Sequence, residues 1–146
     1  MPEIRQSITD HVLFTDVINP QSVGAATTVG VYVDMRDFDY VDFLISVGAV
    51  DAGGTVNAKA RECDVSSAGA PSDIAAAAIT PITDTGDNRL VVISVKKETM
   101  TKRYALVSIT TAVSAAIFIS ALAVQYRKVG YEPVAQDTAT KEVVKV

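Results

Sequence analysis

No charged residue occurs between Tyr104 and Tyr126, a run of 23. A stretch this long must either cross a bilayer or be buried in a packed core. Length alone suits the membrane alternative, as do Arg103 before the run, Arg127 and Lys128 after it, and a tyrosine at each end. Composition does not. Ser108, Thr110, Thr111, Ser114, Ser120 and Gln125 interrupt the run, and many of its apolar residues are alanine. Periodicity explains more. Tyr104, Leu106, Ser108 and Thr110 alternate with Ala105, Val107, Ile109 and Thr111. Phe118, Ser120, Leu122, Val124 and Tyr126 then alternate with Ile117, Ile119, Ala121, Ala123 and Gln125. β-Branched and aromatic residues at period two predict two buried strands of one sheet, joined by a turn over Thr110–Ala116. Met1–Asp10 is polar and has no apolar signal-peptide core, so the expectation is a chain made in the cytoplasm, with no membrane partner.

The same period recurs along the chain. Val41, Phe43, Ile45 and Val47 share one strand face within Tyr40–Val50, with Tyr40, Asp42, Leu44 and Ser46 on the other. Asp51-Ala52-Gly53-Gly54 predicts a hairpin turn. Thr55–Cys63 follows as a strand, with Val56, Ala58 and Ala60 inward and Asn57, Lys59 and Arg61 outward. Leu90–Val95 is another strand, with Lys96–Arg103 as its turn, and Val29–Met35 reads as a half-buried strand. Gln21–Thr28 reads as loop. Asp10–Pro20 holds the apolar cluster Val12, Leu13, Phe14, Val17 and Ile18, and propensity leaves strand or helical turn open there. In the Ser-, Ala- and Gly-rich stretch Asp64–Pro81, the piece Ile74–Ile79 predicts one or two helical turns capped by Ser72 or Asp73.

These signals predict an all-β chain of about six to eight short strands, a β-sandwich or jelly-roll-like fold with a short helical turn in a loop and extended termini. The expected organisation is an arm over 1–10, a β-sandwich over 11–130 and a mobile or partner-docked tail over 131–146.

Chemistry-bearing residues are few. One cysteine excludes an internal disulfide, and Cys63 with His11, the single histidine, cannot make a Cys/His zinc site. His11 sits beside the arm and reads as a surface or interface imidazole, and Cys63 as a small, half-buried residue. Asp34, Asp37, Asp39 and Asp42 form one carboxylate cluster, but no calcium-loop pattern accompanies it and Arg36 lies within it. A solvated turn is the simpler reading. No glycine pattern cradles phosphate. A net charge of −4 and the small patch of Lys96, Lys97, Lys102 and Arg103 argue against nucleic acid. The expectation is therefore a non-enzyme without cofactor, metal or small-molecule substrate.

The order of segments carries a resemblance. Val33-Asp34-Met35, with Phe38 and Asp39, leads into a hydrophobic strand ending at Val47-Gly48, then the Gly53-Gly54 turn. Arg103-Tyr104 opens a later strand, and Pro133 lies near the end. This resembles small structural proteins of tailed bacteriophages over roughly residues 10–135. The resemblance implies a head decoration (cement) protein on the capsid surface of the virion, whose partner is the major capsid protein. Head–tail joining or tail components, and a single span through 104–126, are the alternatives. One departure is the continuation through Ala135–Val146, where the family ends shortly after its last strand. Self-association as dimer or trimer is expected. The residues expected at a partner interface are Ile4, Ile8, His11, Val12, Leu13, Phe14, Tyr131 and Pro133.

Overall fold

Alternation along each strand decides which side chains meet the core, and the core then fixes how strands pair. The structure, a computed structural model, describes residues 7–67, 69–127 and 140–146. A 3-10 turn over Ile8–Asp10 precedes β1 (Val12–Val23), β2 (Ala26–Val29), β3 (Val33–Asp34), β4 (Tyr40–Val47), β5 (Thr55–Cys63), β6 (Ser72–Ala78) and β7 (Arg89–Lys96). A second 3-10 turn, Lys97–Thr99, leads to β8 (Tyr104–Ala112), β9 (Ile117–Tyr126) and β10 (Thr140–Lys145).

Two sheets result. The first has the order β1-β9-β4-β7-β10; the second has β2-β8-β5-β6, with β3 also beside β8. The antiparallel pairs nest: β5 with β6, β4 with β7, β2 and β3 with β8, β1 with β9. The chain is thus a two-stranded ribbon folded about the β5–β6 connection. Rolling that ribbon places β4 beside β9 and β5 beside β8. This is the connectivity of a jelly roll, and the all-β sandwich expectation holds. β10 is added in parallel at the β7 edge.

The core lies between the sheets. β4 contributes Val41, Phe43, Ile45 and Val47, and β7 adds Val91, Ile93 and Val95. From the second sheet, Val56, Ala58 and Ala60 of β5 and Ala105, Val107 and Ile109 of β8 meet them. Each fully buried Val, Ile or Phe contributes roughly 1.5–3 kcal/mol.

Several local expectations are corrected. β8 and β9 do form from the charge-free run, but they lie in different sheets, so the run turns across the core instead of forming a hairpin. The Asp51–Gly54 turn likewise joins strands of different sheets. Gly53 takes φ +78° there, and Gly54 leaves no room for a side chain beside Asp51. Gln21–Thr28 is mostly strand, because β1 continues to Val23 and β2 begins at Ala26. Of Val29–Met35 only Val33–Asp34 is a separate strand; Val31 is exposed, while Val33 and Met35 are buried. No helical turn forms at Ile74–Ile79. The segment pairs with β5 as an edge strand, and the Asp73 carboxylate accepts bonds from Lys59 and Arg61 instead of capping a helix. Within the stretch expected as a tail, Thr140–Lys145 form β10, held by main-chain bonds along β7 and by Val144 and Val146 packing on the core.

Candidate partner-binding surface

Opposed residues in a ladder share a sheet face, so the register assigns the outward side chains. Along β9 the burial alternates, with Ile117, Ile119, Ala121, Ala123 and Gln125 inward. Leu122 and Val124 therefore face outward, opposite Leu44 and Asp42 of β4 and Asp16 and Phe14 of β1. Leu44 in turn opposes Val92, and Ser46 opposes Leu90. The outer face of the first sheet is thus apolar at its centre, with Phe14, Leu44, Leu90, Val92, Leu122 and Val124. A shallow depression opens between Pro20, Leu44, Leu90 and Leu122. On the second sheet, β5 instead presents Asn57, Lys59 and Arg61, and both cations pair with Asp73 at 2.8 and 2.9 Å.

One polar network crosses the apolar face. The Ser94 hydroxyl donates to Asp42 at 2.5 Å, and the Tyr126 hydroxyl donates to it at 3.1 Å. The Tyr126 ring stacks on Tyr40, with centroids 5.2 Å apart. Burial pushes the Asp42 carboxyl above its ordinary range, against the two hydroxyl donors and Lys145. Burial beside that carboxylate also pushes the Tyr126 phenol up to about 12.

The expected interface residues separate. Val12 and Phe14 join the outer face, opposite Tyr126 and Val124. Leu13 points to the other side of β1, yet is 48% exposed because β1 ends the sheet. Ile8 is exposed on the first 3-10 turn, and His11 is exposed at the turn into β1, its N–H bonded to the Ile8 carbonyl. Ile4, Tyr131 and Pro133 lie outside the described residues. Sequence reasoning passed over Leu44, Leu90, Val92, Leu122 and Val124 as interface residues. Their signal was present, since these strands carry apolar residues among the polar ones on the face opposite the core set.

The carboxylate cluster disperses. Asp34 pairs with Arg103, Asp37 lies 3.8 Å from Arg36, and Asp42 belongs to the outer-face network. Among the described residues no three His, Cys, Asp or Glu side chains are placed to hold a metal ion. Cys63 is buried at the end of β5. Glu62, also buried, accepts bonds from the Thr101 N–H and hydroxyl at 2.8 Å and from the Lys102 N–H at 3.2 Å, which fixes the approach to β8.

Five of the residues behind the bacteriophage resemblance meet at one place, the β3–β8 junction, while Val47, Gly48, Gly53 and Gly54 lie elsewhere and Pro133 is outside the described residues. Val33 and Asp34 pair with Ala105 and Tyr104, the Met35 N–H donates to the Arg103 carbonyl, and Arg103 binds Asp34. No helix among the described residues is long and apolar enough to cross a membrane. No family model, curated protein or solved structure matches this chain.

Proposed function

We propose that this protein is a bacteriophage head decoration protein that binds the outside of the assembled capsid and strengthens contacts between major capsid subunits. The observation that carries this reading is an apolar, outward sheet face on a rigid jelly-roll frame. Such a face is suited to docking on another protein surface. The reading also draws on the sequence pattern of Val33-Asp34-Met35 and Arg103-Tyr104, which lie side by side in this fold. A jelly roll alone hosts many functions, so the reading rests on face and pattern together.

The mechanism is mass action. A protein that binds only the assembled shell stabilises that shell, and repetition over many symmetry-related sites multiplies modest contacts. Quantifying the protein in purified particles tests this. Hundreds of copies on the head, and heads that rupture at lower temperature without it, are the expected results. Absence from purified virions overturns the reading. About six or twelve copies would instead place the protein in a ring at the head–tail junction or tail.

A further inference from the structure

The strand ends of the two sheets are not equally protected. β2 is only four residues long. β6 breaks register with β5 at a bulge where Ala76 takes φ +60°. β10 covers the edge of β7 and is itself short, with Lys141, Glu142 and Lys145 in its sequence. The far half of β1 is closed where the Val31 N–H bonds to the Val17 carbonyl. The half of β1 from Val12 to Asp16 is different. It pairs with β9 on one side, and no other strand of the described residues lies along its second side. It also carries Leu13 and Phe14, 48% and 46% exposed. An extended, apolar strand edge of this kind offers main-chain groups to another strand.

We infer that this edge pairs with the same edge of a second copy, joining the two first sheets into one continuous sheet across a two-fold axis. The sequence of the edge is the argument for a second copy. An antiparallel pair about a two-fold axis must place residues of the same face opposite each other, so the axis passes through a residue. Centred on Leu13, the register opposes Leu13 to Leu13, Val12 to Phe14 in both directions, and His11 to Thr15. Each apolar residue thus meets an apolar one, and Val12 and Phe14 extend the outer apolar face across the junction. Centred on Phe14, the register would oppose Val12 to the Asp16 carboxylate. The contact is isologous, so the assembly closes at two copies. The edge Val12–Asp16 supplies only a short strand, against the roughly 20–30 residues a side of a standard interface, so the dimer is concentration-dependent. This inference stands independently of the virion reading.

Sedimentation of the full chain from about 1 μM to about 1 mM measures the equilibrium. The expected result is a monomer–dimer equilibrium that Phe14→Lys weakens at least tenfold, with an unchanged far-UV spectrum and melt. Register is tested with single cysteines in a Cys63→Ser background. Leu13→Cys brings the two Cα atoms within the ~4.4–6.8 Å of a disulfide and should form dimers rapidly under mild oxidation. Phe118→Cys, at a position 69% exposed, serves as the exposure control. A monomer at every concentration overturns the inference, as does crosslinking at position 13 no faster than at 118.

Discussion

Arg103 holds Asp34 through two parallel bonds, Nε to Oδ1 at 2.9 Å and Nη2 to Oδ2 at 2.6 Å. The pair joins β3 to the start of β8, and the guanidinium also lies over the Tyr104 ring. The guanidinium lowers the Asp34 carboxyl to about 2. A depressed carboxyl stabilises the fold above its unfolded value near 3.9, and that contribution disappears as pH falls through the folded value. Both side chains are substantially exposed, so the effect is small. Arg103→Ala should lower the urea midpoint slightly at pH 7, and the gap to wild type should close between about pH 4 and 2. Denaturation curves at these pH values check it; a gap that is undiminished at pH 2 would refute the assignment.

Asp42 has the opposite sign. Its carboxyl is raised by burial, so the ionised form costs stability as pH rises through and above the ordinary carboxylate range. Asp42→Asn keeps an acceptor for the Ser94 hydroxyl and removes that cost. The variant should gain on wild type at neutral pH and lose this advantage in acid. Tyr126→Phe deletes one donor to the carboxylate and should cost about 1 kcal/mol at pH 7. Urea midpoints at about pH 3 and 7 measure both. An Asp42→Asn effect independent of pH would show that the carboxyl is not perturbed.

What was legible from the sequence depended on whether the deciding contacts were local. β4 was readable because Val41, Phe43, Ile45 and Val47 alternate without interruption, and alternation is a property of the strand itself. β6 was not, because Ala75–Ala78 favours a helix locally, and only its pairing with Lys59, Arg61 and Glu62 makes it a strand. The assignment of strands to sheets was hidden for the same reason. In nested pairing, β1 meets β9 and β4 meets β7, so β4 and β5, and likewise β8 and β9, part to opposite sheets although adjacent in sequence. Val12, Leu13 and Phe14 were visible as an apolar cluster. That two of them join an outward face and all three lie along a strand edge that no other strand of the described residues covers follows from pairing with β9, which no local pattern encodes.

Gln125 shows how a polar residue serves an apolar run. It is buried on the inward face of β9, where its side-chain amide donates to the Asp34 carbonyl at 2.8 Å and lies 3.4 Å from the Met35 sulfur. It therefore ties the first sheet to β3 of the second. Gln125→Leu keeps the volume but leaves the carbonyl without this donor, which should cost about 1–3 kcal/mol. Gln125→Glu should cost more, because it buries a charge against a carbonyl oxygen. Chemical denaturation of both variants measures the order. Equal stability of Gln125→Leu and wild type would mean the bond is not made in solution.

Ala76 is exposed and holds a backbone conformation that a side chain disfavours. At φ +60° its Cβ approaches the backbone, which costs an L-residue roughly 1–2 kcal/mol, whereas glycine adopts this region freely. Glycine also increases the freedom of the unfolded chain, which offsets part of the gain. Ala76→Gly should therefore stabilise the protein by about 0.5–1 kcal/mol, and Ala76→Val should destabilise it, since a β-branched side chain tolerates positive φ least. Bulges generally twist a strand edge away from other strands, which guards it against pairing. Relief of strain by glycine leaves the β6 bulge in place, so Ala76→Gly should raise the melting temperature without promoting aggregation. A lower melting temperature for the glycine variant would mean that Ala76 is not held at positive φ.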